Sequence, residues 1–272
     1  MRARLSGGGT GARTDNVAVV TQPAFDDRRL SFGAHAASYA DHRPGYPVDA
    51  VRWVLDAARR PVAEVADVGA GTGALTRTLV GLGLTVSAYE PDPGMLDVLA
   101  QRVPGATAEL AAAEHLPRAD ASLDAVLVGQ AWHWFDHAAA SDELARVTRP
   151  GGVLGLVWNL RDLSLPWTRA LADLIGGEDT MQAPARDPDA LYIVLGSGWG
   201  AVERVEVPHE VEQDEDSLVA LVSTFSYVRL RPDADEVYAA VRELVRTSPD
   251  LAGRDRFPLP YVTTAYRSVR ET

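Results

Sequence analysis

Between residues 63 and 159, short apolar runs alternate with stretches of helical spacing, and this alternation constrains the fold more than any other feature of the chain. Ala63–Val68, Leu84–Glu90, Ala106–Ala112, Leu123–Gln130 and Val153–Asn159 have the length and residue types of buried strands. Ala74–Val80, Pro93–Val103 and His137–Val147 are predicted helices, the second with proline in its first turn. Ala106–Ala112 is the poorest strand of the five, because alanine is a weak strand former. Strands separated by helices predict right-handed βαβ units, hence a mostly parallel sheet covered on both faces. The expected fold class is α/β.

The flanks extend this pattern. Pro44 and Pro47 mark a turn before a predicted helix over Val48–Arg59. After Asn159 we expect a helix over Pro166–Ile175, a loop-rich stretch over 176–200, strands over 202–207 and 259–266, and helices over about 216–224 and 233–247. That makes seven strands. Residues 1–29, rich in Gly, Arg, Thr and Asp without periodicity, are expected to form a flexible leader. Residues 30–272 are expected to form one domain, with a core over about 63–159, a lid over about 32–60 and a helical insertion over about 208–250.

Composition narrows the function classes. All 26 basic residues are arginine, and 38 acidic residues leave a formal charge of −12, which repels phosphate backbones and disfavours nucleic acid as a partner. Half of that excess lies in Glu203–Asp216, outside the core, so it describes a solvated segment rather than the cleft. The absence of cysteine removes disulfides, thiolate zinc sites and cysteine nucleophiles. His133 and His137 stand four apart without an HExxH pattern or clustered carboxylates, so no metal is expected. No apolar run approaches the roughly 18 residues that span a bilayer, and the arginines at the start have no apolar stretch behind them, so a cytoplasmic protein is expected.

The strongest local signal is Asp67-Val68-Gly69-Ala70-Gly71-Thr72-Gly73, where a strand ends and a helix begins. Alternating glycines let the backbone turn tightly and approach a ligand where a Cβ would intrude, and they aim helix N-terminal amides into the crevice. Glu90 ends the next strand, 21 residues after Gly69. A carboxylate there can accept both hydroxyl hydrogens of a ribose. The glycines and Glu90 fit a dinucleotide and an adenosyl ligand alike, leaving a nicotinamide-dependent oxidoreductase, an adenosyl-dependent enzyme and a non-catalytic adenosyl-binding module open.

The order of the remaining motifs separates them. DVGAGTG at 67–73, YEPDPGML at 89–96, AEHLPRADASLDAVLVGQAWHWF at 113–135 and RVTRPGGVLGLVWN at 146–159 together resemble the class I S-adenosylmethionine-dependent methyltransferases. The flanking FGAHAASYADHRPGYP at 32–47 and LPYVTTAYRSVR at 259–270 resemble the small-molecule branch that includes trans-aconitate-type enzymes. The resemblance implies a Rossmann-like, doubly wound, seven-stranded sheet, S-adenosylmethionine as cofactor and a small-molecule acceptor methylated by in-line displacement. It implies that Asp67, Gly69, Ala70, Gly71 and Gly73 form the cofactor loop, that Glu90 holds the ribose, and that Pro91, Asp92 and Met95 border the adenine. Ala112 stands where the family often carries a polar side chain, so adenine recognition falls to Ala113, Glu114 or Asp92. Arg149-Pro150-Gly151-Gly152 is expected as the turn before the fifth strand.

Gln130-Ala131-Trp132-His133-Trp134-Phe135 lies just beyond the fourth strand, where open α/β sheets bind ligands. Gln130 is expected at the cofactor. Aromatic faces such as Trp132 and Trp134 suit a cationic donor, and His133 is the candidate general base, with a wall of the cleft as its alternative role. Asn159 at the end of the fifth strand is a candidate acceptor contact. Tyr39, Arg43 and Tyr46 are expected to close over the cleft, Arg43 offering a planar fork suited to a carboxylate, with Tyr227 and Arg229 in the insertion as weaker candidates of the same kind. The lid and the insertion therefore choose the acceptor.

Overall fold

The structure is a computed structural model that describes residues 41–176, 193 and 195–271. The expected leader and Tyr39 lie outside the described residues. Seven strands, β1 (Glu64–Val68), β2 (Thr85–Glu90), β3 (Ala106–Leu110), β4 (Leu123–Gly129), β5 (Thr148–Arg161), β6 (Glu203–Gln213) and β7 (Phe257–Val269), form one sheet in the order β3-β2-β1-β4-β5-β7-β6. Pairing is parallel from β3 through β5, whereas β7 runs antiparallel to both β5 and β6. This is the expected Rossmann-like sheet, with the order reversing between β1 and β4.

Helices cover both faces. On one, α1 (Val48–Leu55) and α2 (Ala74–Gly81) bury Val51, Val54, Leu75 and Leu79 against Val65, Ala125, Leu127 and Val157. α1 is thus a packed layer of the core, one turn shorter than expected; Gly155 lacks a Cβ where one would meet Val54 Cγ1 at 2.4 Å. α3 (Pro93–Arg102) starts on an Asp92 cap whose Oδ1 accepts from the amides of Gly94 and Met95 at 2.8 and 3.1 Å. On the other face, α4 (His137–Val147) packs Ala140, Leu144 and Val147 against Val126, Leu154 and Leu156. Asp124 opens β4 as a buried carboxylate, accepting from Arg60 Nε at 2.9 Å, from Arg149 at 2.8 Å and from the amides of Ala63 and Glu64 at 3.0 Å. It ties the end of the sheet away from the cleft.

The Arg149–Gly152 segment is a break inside β5, not a turn before it. Leu123 pairs with Thr148 and Ala125 with Val153, so the intervening residues bulge. Gly151, at φ 78°, donates to Arg270 O and accepts from the Arg59 amide, which pins the bulge at both sides. β6 and β7 are also longer than expected.

Between β5 and β6 lies α5 (Pro166–Ile175), and between β6 and β7 lie α6 (Glu215–Ser223), α7 (Ser226–Arg229) and α8 (Ala234–Thr247). Trp167, Leu171, Leu221, Val228 and Val241 form a second apolar cluster with Phe257, Leu259 and Tyr261 of β7. Because β7 runs backwards, its first residues lie toward the carboxyl end of β5, with Tyr261 opposite Arg161. The inserted helices consequently cap the end of the sheet where open α/β folds bind ligands.

Candidate functional site

At that end a cavity opens between the glycine loop, the tips of β2 and β4, and the strap Arg43–Tyr46. The loop is shaped by three glycines at positive φ, with values of 68° at Gly69, 56° at Gly71 and 87° at Gly73. Two of them serve different ends. A Cβ on Gly69 would meet Ala131 Cβ at 2.6 Å and the Phe135 ring at 3.1 Å, so its bareness lets the next loop close. A Cβ on Gly71 would meet only Met95 Sδ at 3.8 Å and would otherwise stand in the cavity. Gly73 packs behind the loop on Leu99 and Val103 and is absent from the lining.

Glu90 ends β2 with its carboxylate across from that loop. Its Oε2 accepts from the Gly71 amide at 2.8 Å and its Oε1 from the Asp92 amide at 2.9 Å, so both oxygens are fixed in orientation at the cavity wall. Asp67 ends β1 without exposure. Its Oδ2 accepts from Thr76 Oγ1 at 2.6 Å, while Oδ1 has no hydrogen-bond partner. Burial pushes this carboxyl up to about 7, against the pull of Thr76. An orphaned buried oxygen on the wall of a cavity fits a cationic or donor group of a ligand.

The other walls come from Pro91 and Met95, from Ala113 and Glu114, and from Gln130, Trp134 and Phe135. Glu114 Oε1 accepts from the Asp136 amide at 2.9 Å, which closes the loop after β3 onto the one after β4. Gln130 adopts φ 51°, a conformation costly for a side-chain-bearing residue, and is held there by its amide on Val157 O at 2.9 Å and its Nε2 on Asn159 O at 3.3 Å. The strap lies across the top, Tyr46 packing over the bare Gly129 and its hydroxyl reaching Gln130 Oε1 at 3.5 Å.

Thirteen of the candidate site residues read from the sequence meet at this cavity: Arg43, Tyr46, Asp67, Gly69, Ala70, Gly71, Glu90, Pro91, Met95, Ala113, Glu114, Gln130 and Trp134. Seven described ones do not. Trp132, in a 3-10 turn, is 2% exposed and belongs to the core behind the wall, its ring stacked on His137 at 5.2 Å. His133 leans on Trp134, with ring centroids 4.9 Å apart, outside the lining; burial and the neighbouring His137 lower it to about 4, so it is neutral at pH 7. Asn159 is spent on structure: its Nδ2 donates to Gly45 O at 2.9 Å and its Oδ1 accepts from Thr263 at 2.6 Å, tying the strap to β5 and β7. Gly73, Tyr227 and Arg229 are likewise absent from the lining. Asp92 acts as the α3 cap rather than as a wall. Thr72, Leu75 and Gly129 line the cavity without having been singled out; they flank the motifs, and proximity in sequence was the available signal.

A sheet of this order with a ligand cleft at a glycine loop and a strand-end carboxylate defines the class I methyltransferase architecture. Comparison with known proteins agrees. The family described as methyltransferase domain matches residues 66–156. An uncharacterized methyltransferase of Mycobacterium tuberculosis is 44% identical over 244 residues, covering 89% of this chain and 96% of the relative. An uncharacterized methyltransferase-like protein of Schizosaccharomyces pombe is 30% identical over 245 residues, covering 89% and 96%. Among solved structures, a candidate Type II methyltransferase from Anaeromyxobacter dehalogenans superposes with a TM-score of 0.62 at 25% identity, covering 84% of this chain and 97% of that one. The chain belongs to the methyltransferase family, and it is a methyltransferase. No helix among the described residues is long and apolar enough to cross a membrane.

Proposed function

We propose that this chain binds S-adenosylmethionine in the cavity between the glycine loop and Glu90 and transfers its methyl group to a small-molecule acceptor. One observation carries the reading: the Glu90 carboxylate is pre-oriented by the amides of Gly71 and Asp92, facing a loop whose glycines leave the ligand space open. A carboxylate fixed this way accepts a vicinal diol without first reorganising. Asp67 Oδ1 suits the ammonium of an amino-acid tail, and Met95 with Ala113 offers a thin apolar slot for a planar base. When bound, the cofactor supplies an electrophilic methyl group on a sulfonium.

The chain's own contribution is positioning. Trp134 and Phe135 wall the cleft beside the glycine loop, and their rings favour a cation over bulk water. The strap, pinned by Asn159, roofs the site and limits water. With His133 outside the lining, no imidazole among the described residues lines the cavity, and alignment of the acceptor supplies the rate enhancement.

Calorimetric titration with S-adenosylmethionine, S-adenosylhomocysteine and NAD tests this directly. Both adenosyl ligands are expected to bind and NAD not to. Glu90→Ala leaves two ribose hydroxyls without their acceptor and weakens adenosyl binding by about 1–3 kcal/mol. Binding of NAD alone, or an unchanged affinity in Glu90→Ala, overturns the reading.

A further inference from the structure

A closed circuit of hydrogen bonds joins the strap to the tip of β4. Asn159 Nδ2, near the end of β5, donates to Gly45 O at 2.9 Å. The next strap residue is Tyr46, whose hydroxyl donates to Gln130 Oε1 at 3.5 Å. Gln130 Nε2 in turn donates to the backbone carbonyl of Asn159 at 3.3 Å, which returns the circuit to its starting residue. Tyr46 and Gln130 both line the cavity, one from the strap and one from the β4 tip, whereas Asn159 is absent from the lining. One residue thus holds two walls from behind. Gly45 is exposed, and among the described residues no heavy atom apart from its chain neighbours lies within 4 Å of where its Cβ would stand. Among these residues it is the carbonyl bond, rather than packing, that fastens this part of the strap.

A brace from outside the cavity fixes the sense of the Asn159 amide. Thr263 of β7, fully buried, donates its hydroxyl to Asn159 Oδ1 at 2.6 Å. Nδ2 is therefore the end that faces Gly45. The reversed amide would set two carbonyl oxygens against each other and leave the Thr263 hydrogen without an acceptor. With its one hydrogen committed, Thr263 meets His209 Nδ1 at 3.4 Å as the acceptor, so the imidazole on the edge strand β6 donates there. His209 is itself stacked on Tyr261, with ring centroids 5.5 Å apart. The brace reaches Asn159 from two strands that contribute no residue to the cavity wall.

We infer that Asn159 is a positioning residue for the adenosyl ligand: by closing this circuit it holds the strap and Gln130 in place over the cavity, and so slows release of the ligand. This rests on the cofactor reading proposed above. Arg43, Pro44 and Tyr46 are the strap's share of the cavity wall, and all three are carried by the segment that Gly45 fastens. With the bond made, that wall is already ordered when the ligand arrives, and departure requires the strap to lift. Without it, the strap must be ordered during binding, at a cost that appears in affinity and chiefly as faster dissociation. Thr263 acts one step further back, through the Asn159 amide.

Asn159→Asp tests this, because it keeps the shape and replaces only the donor. An ionised carboxylate still accepts from Thr263 but repels Gly45 O, whereas a protonated one donates to Gly45 O and restores the circuit. Burial raises such a carboxyl above its ordinary range, within reach of mildly acid solution. The other titratable and charged groups around it are His209 of β6, Tyr261 of β7, Arg161 of β5, and Arg43 and Tyr46 of the strap. All of them, and Asp67, are common to both proteins, so the ratio of affinities isolates the introduced carboxyl. Calorimetry and stopped-flow dissociation with S-adenosylhomocysteine are expected to show binding about 10-fold weaker than wild type at pH 8, with the on-rate changed by less than about 3-fold. At pH 5 the gap is expected to close to under about 3-fold. In the ligand-free variant at pH 8, the amides of Arg43, Gly45 and Tyr46 exchange hydrogen faster than in the wild type, while those of β1 and β2 keep their protection. Thr263→Val is expected to weaken binding in the same direction and Thr263→Ser, which keeps the hydroxyl, to restore it; this pair serves if Asn159→Asp does not fold. A gap independent of pH, wild-type affinity or wild-type strap exchange in Asn159→Asp at pH 8, or equal affinities in the two Thr263 variants overturns the positioning role. Failure of the wild type to bind S-adenosylhomocysteine overturns the cofactor reading beneath it instead.

Discussion

Gly69 and Gly71 offer a paired perturbation in which most uncertain contributions cancel. Both sit at positive φ, 68° and 56°, where a Cβ costs roughly 1–2 kcal/mol. Both alanine variants also lose the same excess flexibility in the unfolded chain, worth about 0.4–1 kcal/mol in their favour. The surroundings differ. At Gly69 the new methyl overlaps Ala131 Cβ at 2.6 Å and the Phe135 ring at 3.1 Å, and Ala131 is itself on a buried backbone that cannot retreat cheaply. At Gly71 its nearest neighbour is Met95 Sδ at 3.8 Å, an ordinary contact. The difference between the variants is therefore the overpacking cost alone, about 1–3 kcal/mol. Urea unfolding of the ligand-free proteins measures it, with Gly69→Ala the less stable by that margin. Calorimetry with S-adenosylhomocysteine should show a loss of affinity in Gly71→Ala of at least about 10-fold, because its methyl stands in the ligand space. Equal stability of the two variants, or full affinity in Gly71→Ala, would refute the division of labour within the loop.

Two further outcomes follow from titratable groups. Asp67 is raised from 3.8 to about 7 by burial, so between these values the folded chain holds a proton that the unfolded chain has released. Stability therefore falls as pH rises from about 4 to about 7; Asp67→Asn flattens that slope in urea midpoints, and an unchanged slope would remove Asp67 as its source. His133→Ala is expected to keep turnover within about 3-fold of the wild type, since removal of a true general base costs 10²–10⁴-fold; a loss of that size with intact adenosyl affinity would restore His133 as the base.

The parts of the fold and site legible in the sequence are those governed by local backbone chemistry. A strand running into alternating glycines and then a helix announces itself because few other backbones need three positive φ values so close together, and Glu90 follows from strand length alone. β6 runs to Gln213, past the expected 202–207, for an equally physical reason. Pro208 and the glutamates after it argue against a strand, yet β6 is the edge of the sheet, where proline and charge are tolerated because one side of the ladder faces solvent. The sequence points Trp132 and Asn159 toward the ligand because each stands at the carboxyl end of an expected strand. The Asn159 side chain is engaged by the Gly45 carbonyl and the Thr263 hydroxyl, 114 and 104 residues away, and such pairings leave no local trace.

Net charge follows the same local logic. Much of the chain's negative charge is displayed along β6, where Glu203, Glu206, Glu210 and Glu212 are exposed on the sheet edge and discourage a further strand from adding there. A formal charge of −12 therefore describes that edge more than the cleft, whose lining mixes Arg43 with Asp67, Glu90 and Glu114.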